Sequence, residues 1–420
     1  MTTLTAESLA DPKAYGSNFE GIYGMMEDLR ANKPVCYVQP EGYRPFWAVS
    51  RYDGIKHVET NPEIFLAAPR TLCWPIETEE MNVKAMGDVN GTKMLVHMDG
   101  DEHRKHRMVT QPWFMPRHLK ELRTRVEDAA RLYVDEMEQY NGECDFASDI
   151  ALWYPLRLAM NMLGVPQEDE KEIYKKALRV LAPNDPDNAV EGLRPEKVLT
   201  QMMAEFGEYF GRMTEDRRKC PKDDIASIIS NAKIDGEPMG LLELMSYYVI
   251  VSTAGHDTTS YAIAGGMKLL IENPEQLEKL RNNPDLMMNA VDEILRIVTP
   301  TKHFMRTAAQ DTVVAGQKIK KGENLMLLWA SANRDDTVFE DPDTFDIERK
   351  NAGANFTFGL GPHHCVGKQL ARMEVQCFFE ELLARFDNFE IVEKPEYVDA
   401  IIVVGLKRLK VKFRNRKIAA

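Results

Sequence analysis

The sequence predicts a mainly α-helical chain with small β-sheets, an α+β fold, in one domain over residues 1–420. Three observations carry this expectation. Apolar residues recur at 366, 370, 373 and 377, a helical stripe. The run Met245–Ile271 is mostly apolar and too long for a strand. Short β-rich runs lie near 35–50, 312–328 and 389–413, and none is long enough for a large sheet. No repeat, low-complexity tract or Ser/Gly linker marks a boundary.

In chain order, Val35–Gln39 and Phe46–Ser50 read as two strands around the turn PEGYR. Asp53 is expected to cap a short helix that stops before Pro62. Residues 68–98 show no period and read as a long loop, the kind of segment that often carries function. From Glu102 to Phe210 the pattern is mostly helical. Leu241–Ile271 is expected to be one long buried helix. Pro274–Leu280 and Pro284–Ile297 follow, each with proline in its first turn. Strands are expected at Thr312–Ala315, Gln317–Lys320 and Leu325–Leu328. A last helix spans Val366–Phe386, and strands at Phe389–Val392, Ile401–Val404 and Leu409–Phe413 end the chain.

The composition is ordinary for a globular protein, with 44% apolar and 28% charged residues among 420. A net charge of −13 argues against nucleic acid or an anionic membrane as partner. The apolar run at 245–271 is interrupted by Gly255, His256 and Asp257, so a membrane span is not expected. The first residues, MTTLTAESLADPKAYG, lack a basic-then-apolar leader pattern, and the expected location is the cytoplasm. Six cysteines, at 36, 73, 144, 220, 365 and 377, show no C-x-x-C pair. Neither a disulfide framework nor a zinc site is expected from them.

One cysteine has unusual neighbours. FTFGLGPHHCVGKQLAR, Phe356–Arg372, puts Cys365 in a glycine-rich turn before the last helix. A dinucleotide loop fails, because His364 stands where the third glycine is needed. Zinc on His363, His364 and Cys365 fails for want of a distant ligand pair. A purely structural turn is a third reading. The fourth is a metal thiolate: the helix start favours a negative sulfur. Gly359, Gly361 and Gly367 let the backbone pass close to a flat ligand, and Phe358 shields one face. Haem takes sulfur on one side in this way.

F-G-x-G-x-H-x-C-x-G at Phe358–Gly367 resembles the haem-ligand signature of the cytochrome P450 family. The resemblance implies haem b held between the long central helix and the cysteine-loop helix, with Cys365 as axial ligand of the iron. It implies a buried network of Glu293, Arg296 and Arg349, built on E-x-x-R, that fixes the cysteine loop. His103, Arg107, Arg306 and His363 are expected to hold the two propionates. Ala254-Gly255-His256-Asp257-Thr258-Thr259 is similar to the family's oxygen-activation motif. There Gly255 lets the helix approach the iron, Thr258 loosens the helix by bonding back four residues, and Asp257 relays protons. His256 is given no role, and that of His364 is left open. The expected pocket walls include Val251, Ala254, Thr301, Phe304 and Ile402.

The implied activity is monooxygenation: O2, two electrons and two protons place one oxygen atom in a C–H bond. The chain has no flavin, nicotinamide or iron–sulfur fingerprint of its own. The implied donor is an iron–sulfur ferredoxin with an NAD(P)H-dependent reductase, and the chain is expected to be a monomer. GECDF (142–146), CPKDD (220–224), TAGHDTTS (253–260), FMRTA (304–308) and SANRD (331–335) resemble the bacterial terpineol-type hydroxylases. That implies a monoterpenoid or alkylated aromatic substrate. A larger steroid-like substrate is the alternative, as is a haem-thiolate isomerase or dehydratase.

Overall fold

The apolar stripe of the last helix is buried, and this fixes the centre of the molecule. The computed structural model describes residues 4–182, 184–189 and 195–416. Lys368–Arg385, the cysteine helix, buries Leu370, Val375, Cys377, Phe378 and Leu382. It packs against Pro116–Met137, Asp257–Glu272 and Met287–Val298. Each of these neighbours shows an apolar face to it, Leu119, Leu122, Val126 and Ala130 in the first.

The central run departs from expectation. It forms two helices, Leu241–Ala254 and Asp257–Glu272, broken at Gly255 and His256. Hydroxyls loosen the backbone there. Thr253 Oγ1 donates to Val249 O at 2.8 Å, and Thr258 Oγ1 donates to Ala254 O at 3.4 Å. Such back-bonding competes with the helical ladder and bends it.

The main sheet has five strands in the spatial order Val35–Val38, Phe46–Val49, Asn324–Leu328, His303–Ala308 and Phe65–Leu66. Leu325 pairs with Trp47 in parallel and with Arg306 antiparallel. Asn324–Leu328 is buried throughout, as its continuous apolar run requires. The sheet stands at one side of the helical body, over its own apolar cluster of Val49, Ile55, Phe65, Leu325 and Trp329.

Several expectations need correction. His303–Ala308 is a strand that apolar alternation does not reveal, because His303, Arg306 and Thr307 are all buried in it. Ile401–Val404 is not a strand; it touches its neighbour only through a Thr301–Val403 bridge. The segment 68–98 contains a helix, Ile76–Met86. The short helix at Tyr52–Glu59 has Arg51 at its N-cap, and the Tyr52 N–H donates to Asp335 Oδ2 at 2.8 Å. Asp53 therefore sits inside the first turn, where its charge still suits the helix dipole.

Candidate active site

Between the broken central helices and the start of the cysteine helix lies a cavity of about 280 Å³. Its floor is Phe358 and the stretch 363–367, and Gly359 and Gly361 shape this loop from behind without bordering the cavity. Gly359 and Gly361 take φ of 66° and 70°, the left-handed region. A Cβ on Gly361 would stand 2.4 Å from Glu59 O, so the loop passes against the backbone of Tyr52–Glu59. Gly359 N donates to Phe356 O at 2.7 Å, and Cys365 N to Phe358 O at 2.8 Å. The loop is thereby closed on itself, with Phe358 and Gly367 bordering the cavity beside Cys365.

Cys365 has accessible surface, yet protein surrounds it on every other side. The two facts agree, because the open face looks into the cavity. Burial raises its pKa, while the N–H groups of Gly367 and Lys368 and the charges of Arg107 and Lys368 oppose this. These are the donors that stabilise a thiolate. The helix itself begins at Lys368, so Cys365 stands before its first turn.

One wall carries an arginine and three histidines. His103 and Arg107 project from Gly100–Thr110, and both border the cavity with His363 and His364. The rings of His103 and His363 are 4.2 Å apart. His103 Nε2 is buried with no hydrogen-bond partner. Burial lowers the His103 pKa to about 4, with His363, Arg107 and Arg306 adding repulsion. Arg107 Nη2 lies 3.2 Å from His364 Nε2, which gives His364 a positioning contact. Arg306 does not border the cavity; its Nη2 donates to Glu59 Oε2 at 3.0 Å. It is near enough to affect His103.

The opposite wall is the helix break. Ala254 is exposed, although it lies mid-molecule, because it faces the cavity. Thr258 is beside it, half-buried. Gly255 borders the cavity through its backbone, but its missing side chain points elsewhere. A Cβ there would lie 2.8 Å from Val251 O and 3.3 Å from Ala159 Cβ. The glycine thus also lets the helix break pack closely onto Trp153–Leu163. Asp257 is 2% exposed and does not border the cavity. His256, also buried, has Nε2 3.0 Å from Asp257 Oδ1. That contact lies off the hydrogen-bond direction, since neither ring nitrogen of His256 has a bonded partner.

Val251, Thr301 and Phe304 border the cavity with Leu95, Val96 and Ile250. Ile402 does not; it packs on the cluster of N-terminal and sheet residues, with Val398, Ala400 and Val404. The turn at 401–404, expected to be a strand, carries it away from the site.

Below the floor, Glu293, Arg296 and Arg349 meet. Glu293 Oε1 accepts from Arg296 Nη2 at 2.7 Å and Arg349 Nε at 3.0 Å; Oε2 accepts from Arg296 Nε at 2.7 Å. Glu293 and Arg296 have no exposure. Arg296 also donates to Asn333 O at 2.8 Å. The Asn333 side chain in turn accepts from Phe356 N at 2.6 Å and donates to Thr357 Oγ1 at 3.2 Å. Phe356 and Thr357 open the cysteine loop, so the charge network reaches that loop through Asn333.

Three residues at the site were not read from the sequence. Asn333 lies in the SANRD stretch, but its role was not legible, since its partners are remote in the chain. Trp329 borders the cavity and donates to Glu59 Oε1 at 3.1 Å. Glu374 borders the cavity with Gly367, Leu370 and Ala371, and burial raises its pKa to about 8 against a hydrogen bond from Thr259. Its spacing from those three is helical, so an acid on the cavity face was there to be found.

The residues fit a haem. An unpartnered histidine nitrogen and an arginine line the side where propionates need donors, and a donor-supported sulfur stands at the floor. Among the described residues no group of three His, Cys, Asp or Glu could hold a bare metal ion. The fold and site define a haem-thiolate oxygenase.

The family model described as Cytochrome P450 matches residues 77–413. Cytochrome P450-terp of Pseudomonas sp is 36% identical, over 97% of each chain. Steroid C26-monooxygenase of Rhodococcus jostii is 28% identical, over 96% of this chain and 84% of the relative. Linalool 8-monooxygenase of Pseudomonas putida is 30% identical, over 91% and 93%. A crystal structure of a P450 from Novosphingobium aromaticivorans superposes with a TM-score of 0.88, at 35% identity and 98% coverage of both. The chain belongs to the cytochrome P450 family, binds haem b, and is a monooxygenase. No helix of the described residues is long and apolar enough to cross a membrane.

Proposed function

We propose that this monooxygenase hydroxylates a small hydrophobic substrate, a monoterpenoid or an alkylated aromatic. The observation that carries the reading is the cavity. Its walls above Cys365 are mostly apolar, as those of ligand pockets are. Leu95, Val96, Ile250, Val251 and Phe304 give the substrate apolar contact and few polar groups to orient it. A small hydrocarbon suits such walls. The linalool enzyme's printed activity points the same way.

Haem, when bound, would supply the activation of O2, one atom of which enters the C–H bond. Cys365 would hold its iron, and His103, Arg107 and His363 would hold its propionates. Arg306 stands behind His103, and burial, aided by that positive field, keeps the histidine neutral, a donor through one ring N–H. The side chains of the helix break manage protons. Thr258 Oγ1 donates to Ala254 O, which leaves its oxygen free to accept toward the cavity. Asp257, buried behind it, supplies protons to this hydroxyl, and Ala254 leaves space for oxygen. Glu293, Arg296 and Arg349 keep the cysteine loop in position.

Electrons come from a separate ferredoxin and an NAD(P)H-dependent reductase, and the enzyme works as a cytoplasmic monomer. Lys368 and Arg117 are the cations for an acidic donor. Arg104, Lys105 and Arg372, on the same side, are engaged with Asp101, Asp235 and Asp292.

The test is a panel of monoterpenoids, alkylated aromatics and steroids. Binding is read from the haem spectrum, then turnover from NADH consumption with a ferredoxin, its reductase and O2. Stoichiometric hydroxylation of a small terpene or aromatic is the expected result. Turnover confined to steroids overturns the substrate reading. In Thr258→Ala, NADH consumption persists while peroxide replaces product; full coupling in that variant removes the relay.

A further inference from the structure

A second cavity, of about 230 Å³, lies outside the haem site. Phe19 and Tyr23 of the N-terminal helix, Tyr261 and Leu269 of Asp257–Glu272, and Val404 form its apolar walls. Its charged groups are unusual. Lys302 borders it and is 1% exposed. Lys302 Nζ donates to Val298 O at 2.8 Å and to Tyr23 Oη at 3.1 Å, and lies 4.9 Å from the Phe19 ring centre. All these partners are neutral. Among the described residues Lys302 has no ion pair, whereas buried charges are as a rule paired.

Arg334 borders the same cavity. Both cations lie over the Tyr23 ring, Lys302 Nζ at 5.5 Å and Arg334 Cζ at 4.4 Å from its centre. Arg334 pairs with Asp343 through Nη1, but its Nε is buried without a partner. Of the two cations, Lys302 alone is left without an ion pair among the described residues. Lys268 is engaged by Glu272 at 2.5 Å, and Glu20 is exposed at the rim. The cavity therefore has one buried lysine, one unsatisfied guanidinium N–H and apolar walls, and the one carboxylate in its lining, Glu20, is exposed.

We propose that this cavity is a second ligand site that takes a small organic carboxylate. The carboxylate meets Lys302 and Arg334, and the apolar body lies against Tyr261, Leu269 and Val404. A bound anion supplies the counter-charge that the chain withholds, and its oxygens accept from the third Lys302 proton and from Arg334 Nε. Charge-assisted bonds of this kind are the strong ones. Burial, with Arg334 nearby, lowers the Lys302 pKa, so the ligand also stabilises the charged lysine.

Benzoate is the probe, titrated into the haem-loaded enzyme by calorimetry, with the haem spectrum followed in parallel. The expected result is one-to-one binding with the haem spectrum unchanged, and no binding of neutral benzamide. Lys302→Met is expected to weaken benzoate at least tenfold while haem content stays. Leu269→Trp fills the cavity from its half-exposed wall and keeps both charges, so it is expected to abolish binding even if Lys302→Met fails to fold. Absence of benzoate binding in the wild type, equal binding of benzamide, or unchanged affinity in Leu269→Trp overturns the proposal. None of these outcomes depends on the substrate of the haem site.

Discussion

Glu293→Gln removes one negative charge from a place where two guanidinium groups share it. The side chain keeps its shape, but its amide nitrogen now faces donors. Arg296 loses charge-assisted bonds of 2.7 Å on two nitrogens, and Arg349 loses one of 3.0 Å. Breaking a buried pair from one side costs about 3–5 kcal/mol. Here the cost falls at the lower end. Arg296 still donates to the carbonyls of Asn333, Pro342 and Thr344, and Arg349 to those of Glu340, Asp341 and Thr344. With an unfolding entropy of about 2.1 cal/mol/K per residue over 420 residues, 3 kcal/mol lowers Tm by roughly 3 °C. Urea denaturation and a thermal scan read the stability. The carbonmonoxy-ferrous spectrum reads the position of Cys365, because the network reaches that loop through Asn333. The expected spectrum shows a part of the molecules converted from thiolate to thiol ligation. A loss below about 1 kcal/mol with an unaltered spectrum refutes the reasoning, since a buried unpaired charge pair cannot be that cheap.

Cys365→Ala is expected to abolish the thiolate-type band of the carbonmonoxy-ferrous form, measured on purified protein. Gly361→Ala meets Glu59 O at 2.4 Å and requires φ of 70°, so it is expected to lose about 1–3 kcal/mol and part of its haem, read by urea melts and Soret absorbance. Glu374 has its folded pKa raised to about 8 by burial, so between about pH 4.5 and 8 the folded state holds a proton that the unfolded state releases. Its contribution to stability thus falls as pH rises, by up to about 1.4 kcal/mol per pH unit. Glu374→Gln is expected to flatten that slope in urea melts at pH 5, 6.5 and 8. An identical slope in wild type and variant counts against the buried acid.

The cysteine loop and the E-x-x-R helix were legible in the sequence because their chemistry is local. Left-handed glycines, an i,i+3 ion pair and a sulfur ahead of a helix are all set by spacing along one stretch of chain. The helix break at Gly255 was only half legible. Its residues were read correctly as a loosened helix, but the side on which the glycine is needed depends on Ala159, nearly a hundred positions earlier. The strand His303–Ala308 was hidden because its polar residues are buried, and alternation then has nothing to show.

The sequence by itself determined the mainly helical class and, through the family resemblance, the expectation of a ligand sulfur at Cys365 and of an acid and an alcohol at Asp257 and Thr258. Folding alone decided that Arg306 turns to Glu59, that Ile402 leaves the cavity, and that Asn333 joins the charge network to the cysteine loop. The physical reason is that backbone conformation and neighbouring charges act over a few residues. Which carboxylate a buried cation meets depends on which distant segments the core brings together.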